Sequence, residues 1–377
     1  MHGLSGGELR IERLEGSALS VALREPFVIA SGRVDATRAV EVRALVRWRG
    51  RTALGLGEAA CLPPVTREDQ GDALREVERA AGRLVDQPLS GNARSLEEAL
   101  LAAVPESPVA RAGIETAVLD AMARCAGVPM RALLGGERGR ATRELETDVT
   151  IAIGTPERMA ELAREWSGRG FRSLKIKIGK DRGKDVDADI RSLEAVGRAA
   201  PGARLRIDAN AGYTAAQAIA VAGACERLGL GPAIECWEQP CAADDLDGMR
   251  EVAAAVRAPV IADESVKTFD DFCELARRGY AAGVNLKLAK NGGVLAAHRM
   301  GLAAQGASLA IMTGGMVETR LGMTAAAHVV CALGGVDYVD LDTAWLLADD
   351  PYAGGYGGNG AFYVMPEDDG LGIARRV

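Results

Sequence analysis

Five charged residues each end a short apolar segment, and about one βα unit of chain separates each from the next. They are Lys177, Asp208, Glu238, Asp263 and Lys287, in the segments SLKIK, LRID, IECWE, VIAD and VNLK. The spacings of 31, 30, 25 and 24 residues each leave room for one strand, one helix and two loops. In a (β/α)₈ barrel the C-terminal ends of the strands meet at one mouth. We therefore expect these five side chains to share one cleft.

The composition indicates a globular protein that acts on small molecules. The chain has 377 residues, of which 48% are hydrophobic, and this length suits one barrel with a second domain. The net charge of −7 and the lack of a Lys/Arg cluster argue against a nucleic acid or a membrane surface as a partner. The sequence shows no leader-like or bilayer-length apolar segment, and its seven cysteines form no CxxC pair. We expect a cytoplasmic protein with free, buried thiols.

Three regions follow from the patterns along the chain. Alternating segments over 8–58 and helical spacing over 66–128 predict an α+β domain at residues 1–140. Strands and helices then alternate, which predicts a (β/α)₈-type barrel of the α/β class at 141–346. The tail at 347–377 is expected to return to the first domain. The eight barrel strands are expected near 145–152, 172–177, 204–208, 234–238, 259–263, 283–287, 308–312 and 336–341.

Three carboxylates at the ends of consecutive predicted strands are candidates for a metal site. Asp208, Glu238 and Asp263 offer the hard oxygen ligands that Mg²⁺ prefers, and we expect one ion per active site. Any one of these acids could instead cap the helix that follows it. Three acids at equivalent positions on consecutive strands, with lysines beside them, favour a metal site over helix caps. Their sequence neighbours, which we expect to orient the ligands, are Asn210, Gln239 and Glu264.

Three lysines are predicted to reach the same mouth. Lys175 and Lys177 share one face of their strand, because side chains alternate along a strand. Lys287 would approach from the opposite side, whereas Lys290 lies past the strand end and is expected in a loop. Two lysines that face each other across a metal-bound carboxylate can remove a proton from the adjacent carbon and return it on either face, through an enediolate that the metal stabilises. Burial and neighbouring cations should lower the pKa of such a lysine.

These motifs resemble the muconate-lactonising subgroup of the enolase superfamily over almost the whole chain. The matching segments are KIK at 175–177, EQP at 238–240, ADES at 262–265 and KLAKNGG at 287–293. The resemblance implies a modified, TIM-like barrel with an α+β capping domain, whose loops at 26–34 and 57–66 cover the mouth. It further implies that Lys177 and Lys287 are the acid/base catalysts and that Lys175 helps to hold the substrate carboxylate.

A pair of acids on the last predicted strand narrows the substrate. Asp340 and Asp342, in VDYVDLDTAW, lie on one strand face and would form a receptor for an ammonium group. In the family that this chain resembles, a DxD motif at this place is typical of dipeptide epimerases, which hold the N-terminal amine with it. The alternative is that the two acids cap a helix that begins near Thr343.

The side chain that the substrate carries is less well defined by the sequence. The resemblance implies that epimerases of L-Ala-D/L-Glu hold the glutamate with a basic residue of the first capping loop. Arg33 is the nearest candidate, and Arg38 and Arg67 compete with it. Glu318, if it faces the pocket, would suit a cationic side chain instead. Two further residues predicted near the mouth are Thr313 and Met316.

We therefore predict an isomerase: a homo-oligomeric, Mg²⁺-dependent dipeptide epimerase that inverts the α-carbon of the C-terminal residue. An N-acyl(succinyl)amino acid racemase or a cycloisomerase of the same subgroup is the alternative. Enzymes of the mandelate racemase type need a histidine on strand seven, and His2, His298 and His328 all lie away from predicted strand ends. A Schiff-base lyase and a non-catalytic binding protein are further alternatives.

Overall fold

The N-terminal half of the fold is an antiparallel sheet covered by helices. The computed structural model describes residues 4, 6–30, 32–358 and 360–376. The sheet has the order β3-β2-β1-β4. Its strands are β1 (Glu8–Ile29), β2 (Gly32–Trp48), β3 (Arg51–Cys61) and β4 (Pro88–Ser90), and the helices that follow are α1 (Gln70–Leu84), α2 (Ala93–Ala103), α3 (Pro108–Ala126) and α4 (Met130–Ala141).

Helix α3 is the central packing element of this region, because it lies on β2 and β3 and also contacts the barrel. Its start is fixed by Ser107, whose hydroxyl accepts a hydrogen bond from the amide of Ala110, and by a proline at the first helical position. Small residues allow the helix to approach the sheet closely. A Cβ atom on Gly57 would lie 2.1 Å from the carbonyl oxygen of Gly113.

Eight parallel strands in chain order form the barrel sheet. The amide of Asp148, before the first of these strands, donates to the carbonyl of Val339 in the last at 3.1 Å, which joins the two edges. The strands are β6 (Val149–Ile151), β7 (Ser173–Lys177), β8 (Arg204–Asp208), β9 (Ile234–Glu238), β10 (Val260–Ala262), β11 (Gly283–Leu286), β12 (Ala310–Thr313) and β13 (Tyr338–Val339). Each strand overlaps its predicted segment, although β6 begins four residues later than predicted and β13 is two residues shorter at each end. The predicted α/β barrel with an α+β domain is confirmed.

Helices connect these strands on the outside of the sheet. They are α5 (Pro156–Gly168), α6 (Lys180–Gly183), α7 (Val186–Ala199), α8 (Ala215–Arg227), α9 (Leu246–Ala255), α10 (Phe269–Arg278), α11 (Leu288–Asn291), α12 (Val294–Gly306), α13 (Arg320–Leu333) and α14 (Thr343–Leu346), with a short 3₁₀ helix at Gly231–Ala233. None of the helices in the described ranges is long and apolar enough to cross a bilayer. All seven cysteines are free, and all but Cys273 are buried.

The tail adds three short strands outside the barrel, β14 (Tyr352–Gly354), β15 (Phe362–Val364) and β16 (Ile373–Arg375). Strand β15 pairs with β5 (Glu144–Glu146), which the sequence assigned to the first barrel strand, and β14 pairs with β16. The amide of Leu371 donates to Asp120 Oδ1 at 2.7 Å, and Arg124 donates to the carbonyl of Ile373 at 3.1 Å. The tail therefore lies against helix α3 of the capping region.

Candidate active site

The two lysines of β7 enter the barrel together, as the alternation of the strand predicts. Lys175 is 1% exposed, and its Nζ lies 2.7 Å from Asp340 Oδ2 and 2.7 Å from Glu238 Oε2. The same atom lies 3.0 Å from Asp208 Oδ2, and Lys177 Nζ lies 2.5 Å from that oxygen. Acids from three strand ends therefore converge on this lysine pair.

Lys287, directly after β11, approaches from another part of the barrel and places its Nζ 2.7 Å from Asp263 Oδ2. The prediction that Lys290 is a loop residue is wrong. It lies in α11 and is buried, because this short helix begins immediately after the strand and turns the side chain back under the site. Its Nζ lies 2.7 Å from Asp263 Oδ1, and it also donates to the carbonyl oxygens of Asp263 and Asn285, each at 2.7 Å.

The predicted metal ligands lie at the ends of three neighbouring strands. Asp208, Glu238 and Asp263 are each at most 1% exposed. Two buried oxygens beside them, Asn210 Oδ1 and Glu264 Oε2, have no hydrogen-bond partner among the described residues. Buried carboxylate and amide oxygens in this number are the donor set of a hard divalent cation. The residues present therefore fit Mg²⁺.

The neighbours of the predicted ligands contact them as expected of orienting residues. The amide of Asn210 donates to Asp208 Oδ1 at 2.8 Å, and the Gln239 side-chain oxygen accepts from the amide of Asp263 at 2.8 Å. Asn210 and Gln239 both have positive φ angles, 42° and 33°. Such backbone strain is common where a chain must turn sharply at a functional site.

The charges of the site shift the pKa values of its acids in opposite directions. Burial alone would raise the pKa of Asp208, but the neighbouring Lys177 and Lys175 lower it to about 2. Burial and the charge of Asp263 raise the pKa of Glu264 to about 8. Burial would lower the pKa of Lys287, but Asp263 outweighs it, so the pKa lies above its usual value. The carboxylate of Asp263 therefore opposes the lowering of the Lys287 pKa that burial alone would cause.

The two acids after β13 occupy the same mouth. Asp342 precedes α14, but its carboxylate does not cap that helix; it accepts a hydrogen bond from the amide of Thr150 instead. Burial and the charge of Asp340 raise the pKa of Asp342 to about 6. Burial would also raise the pKa of Asp340, but Lys175 lowers it. The helix-cap alternative is therefore wrong for Asp342.

The sequence analysis did not identify two buried residues below the mouth, Asp148 and Arg206. Carboxylate oxygens of Asp148, Asp340 and Asp342 lie within 4.8 Å of one another. Arg206, 5% exposed, lies 2.8 Å from Asp148 Oδ2 and so supplies a positive charge to this acidic cluster. Arg206 lies two residues before Asp208 on β8 and therefore on the same face of the strand. The rule that placed Lys175 beside Lys177 would have found it.

A cavity lies above these side chains, between the barrel strand ends and the capping loops. Its polar wall comes from the barrel. Its apolar wall comes from the capping loops and from the segment after β12. The polar lining residues are Thr150, Lys175, Lys177, Asn210, Lys287, Asp340, Asp342 and Thr343, and the apolar ones are Phe27, Ile29, Leu62, Val65, Met316 and Val317, with Gly315 beside them.

Family models match both halves of this architecture. Residues 17–135 match the mandelate racemase / muconate lactonizing enzyme N-terminal domain, and residues 158–376 match the enolase C-terminal domain-like family. This chain belongs to the mandelate racemase/muconate lactonizing enzyme family. The resemblance to the enolase superfamily that the sequence motifs carried is thereby confirmed.

Several members of the family are similar to this chain over nearly its full length. An aromatic dipeptide epimerase of Herpetosiphon aurantiacus is 36% identical over 96% of this chain and 98% of that protein. The substrate-liganded L-Ala-D/L-Glu epimerase from Bacillus subtilis superposes with a TM-score of 0.90 at 32% identity, covering 97% of this chain and 99% of the other. A dipeptide epimerase from Enterococcus faecalis V583, complexed with Mg and L-Leu-L-Tyr, gives 0.87 at 29% identity, covering 97% and 100%. The chain is an isomerase.

Of the remaining residues predicted to bind the substrate, one lines the cavity and two do not. Met316 lines the cavity, whereas Thr313 is buried beneath it at the end of β12. Arg33 pairs across the hairpin with Val28, so it lies on the opposite face from Phe27 and Ile29. Its side chain is 62% exposed and contacts Asp35 at 2.9 Å. The structure does not bring Arg33 to the site. Residue 31 of the same loop lies outside the described residues, as does His2.

Proposed function

We propose that this family member is a Mg²⁺-dependent dipeptide epimerase that inverts the α-carbon of the C-terminal residue. The observation that carries the proposal is one cavity lined by Lys177 and Lys287 and by the carboxylates of Asp340 and Asp342. The first pair suits proton transfer at carbon, and the second suits an ammonium group. Similar proteins of the family that are named dipeptide epimerases support the same conclusion.

The two lysines would perform the proton transfer between them. Lys177 is the last residue of β7, and Lys287 directly follows β11. These two strands are four positions apart in the barrel, so the lysines reach a substrate from different sides of the mouth. In one direction Lys177 takes the α-proton and Lys287 gives a proton to the other face, and in the reverse direction the two lysines exchange these roles. The charge left on the substrate is that of an enediolate, and Lys175 lies where it can pair with its oxygens.

Asp208, Glu238 and Asp263 would hold the metal ion. Bound there, Mg²⁺ would supply the positive charge that makes the α-proton of a coordinated carboxylate more acidic. Asn210 and Gln239 orient two of these ligands through backbone hydrogen bonds.

The acid pair separates a dipeptide from an acylated amino acid. Asp340 and Asp342 are buried, and a neutral N-acyl group would leave one of their negative charges without a partner. A free ammonium group would pair with it. The N-acyl(succinyl)amino acid racemase and cycloisomerase alternatives are therefore disfavoured by the chemistry of the site.

The test is exchange of the α-proton in D₂O, followed by NMR with Mg²⁺ and a small set of dipeptides, each with a free and an acetylated amine. We expect exchange with inversion for the free-amine dipeptides only. Lys177→Ala and Lys287→Ala should each retain exchange with one epimer and lose it with the other, since one base remains. Asp342→Asn should reduce exchange of free-amine dipeptides, whereas Asp349→Asn, a change at a site 87% exposed, should not.

The outcome that contradicts the proposal is exchange confined to the acetylated compounds and unaffected by Asp342→Asn. Loss of exchange with both epimers in each lysine variant would argue against two separate bases. The cytoplasmic location, the homo-oligomer and the domain limits at 140/141 and 346/347 stay predictions.

A further inference from the structure

We infer that the substrate of this enzyme carries an apolar side chain, and that neither a glutamate nor a lysine dipeptide is its preferred substrate. This inference rests on the proposed function and names the substrate class of the same cavity. It depends on the apolar roof, which we define as Phe27, Ile29, Leu62, Val65, Met316 and Val317.

The apolar roof is built from three separate segments of the chain. Phe27 and Ile29 come from the end of β1, Leu62 and Val65 follow β3, and Met316 and Val317 follow β12. The capping region and the barrel therefore each contribute apolar side chains to one wall. An apolar wall above a few convergent polar groups is typical of a site that orients a ligand by its polar end and accepts its apolar end.

The apolar roof has apolar residues behind it as well. Phe27, Leu62 and Val317 pack with Leu23 and Leu347 in a small apolar cluster, and Leu62 also contacts the main core. A charged substrate group that enters this region would lose its water and find no partner. Burying an unpaired charge in this way is costly, so the roof selects against charged side chains.

The arginines considered as partners for a glutamate side chain lie away from the cavity. The described lining contains no arginine, and its three lysines are those of the barrel strand ends. Arg33 contacts Asp35, and Arg67 is 85% exposed beside Glu106. Arg24 donates to the carbonyl of Leu347 at 2.8 Å, and Arg38 is exposed on β2.

Glu318, the acid proposed as a partner for a cationic side chain, already has a hydrogen-bond partner in the protein. Glu318 is buried, and its carboxylate accepts a hydrogen bond from the amide of Met316 at 2.9 Å. It is absent from the described lining of the cavity. The two charged classes of substrate therefore both lack a partner, and the apolar class remains.

The experiment compares kcat/KM of the wild-type enzyme for L-Ala-L-Leu, L-Ala-L-Phe, L-Ala-L-Glu and L-Ala-L-Lys, measured as epimerisation by NMR with Mg²⁺. We expect the apolar dipeptides to be preferred by roughly 100-fold. Phe27→Arg and Leu62→Arg should each raise the rate ratio of L-Ala-L-Glu to L-Ala-L-Leu about tenfold or more. Leu54→Arg places the same charge at a position 41% exposed on β3 and should leave the ratio unchanged.

Two results would overturn the inference, and they differ in what they say of the proposed function. A wild-type preference for L-Ala-L-Glu or L-Ala-L-Lys would refute the apolar substrate while leaving the epimerase intact. No exchange with any of the four dipeptides would refute both. The wild-type comparison needs no variant, so a failure of Phe27→Arg or Leu62→Arg to fold does not weaken the test.

Discussion

Lys290 and Lys287 contact the same carboxylate, and we predict that their removal has opposite consequences for stability and activity. Lys290 Nζ lies 2.7 Å from Asp263 Oδ1 and donates to two backbone carbonyl oxygens. Lys287 Nζ lies 2.7 Å from Asp263 Oδ2 and also lines the cavity. Lys290 therefore positions Asp263, whereas Lys287 faces the substrate.

The magnitudes follow from what each lysine leaves behind. Lys290→Met removes three buried hydrogen bonds, to Asp263 Oδ1 and to the carbonyl oxygens of Asp263 and Asn285, while Asp263 keeps Lys287 as its ion-pair partner. At about 1 kcal/mol net for each hydrogen bond, we expect a loss of about 3 kcal/mol. Lys287→Met removes one ion pair, and Asp263 keeps Lys290 as its partner. Only one hydrogen bond from Lys287 to the protein is lost, so on the same basis we expect a loss of about 1 kcal/mol or less.

The assay is urea unfolding of both variants, with α-proton exchange measured in parallel. We expect Lys290→Met to lose stability and keep slow exchange with both epimers, because neither base has been removed. Lys287→Met should keep its stability and lose exchange with one epimer. The exposed Lys184→Met is the reference for a lysine without these contacts. Equal losses of stability in both variants, or a Lys290→Met protein as stable as the wild type, would refute the reasoning.

Two further predictions concern the capping region. Glu115 is 1% exposed, and burial raises its pKa from an ordinary 4.5 to about 8. The folded protein therefore holds this proton more tightly than the unfolded chain, so the free energy of unfolding is highest below about pH 4.5 and falls as the pH rises to 8. Glu115→Gln should match the wild type near pH 4.5 and exceed its free energy of unfolding by on the order of 4 kcal/mol at pH 8; a difference that does not vary with pH would contradict this. Gly55→Ala places a Cβ 2.0 Å from the carbonyl of Ala117 and should cost about 3 kcal/mol or prevent folding. Gly82→Ala, in helix α1 with open space around it, should stabilise by about 0.5–1 kcal/mol by urea unfolding, and equal effects of the two changes would refute the packing argument.

The barrel residues could be predicted from the sequence because two simple rules fix them. Side chains alternate along a strand, and the C-terminal ends of parallel strands meet at one edge. Lys175, Lys177 and Asp208 follow from these rules alone, and the structure brings them together. Applied to the position two residues before Asp208 on β8, the same rules would also have found Arg206.

Lys290 could not be predicted in this way, because its place depends on how soon a helix begins after the strand. Helix α11 starts at Leu288, directly after Lys287. One helical turn then brings Lys290 back toward the strand end, where its Nζ lies beside Asp263. A loop of two or three residues at this point would have sent the same side chain into solvent, and the sequence does not distinguish the two cases.

Arg33 shows a different limit, which is the register of a hairpin. Strands β1 and β2 pair regularly from Arg13 to Ala22, and the register then shifts before Phe27. Since a shift of one residue exchanges the two faces of a strand, the alternation before the shift cannot be extended through it. After the shift, Phe27 and Ile29 line the cavity, and Arg33 pairs with Val28 on the other face. The same shift that turns Arg33 away from the site therefore directs Phe27 and Ile29 into it, so the loss of a glutamate partner and the gain of these two apolar residues have one structural cause.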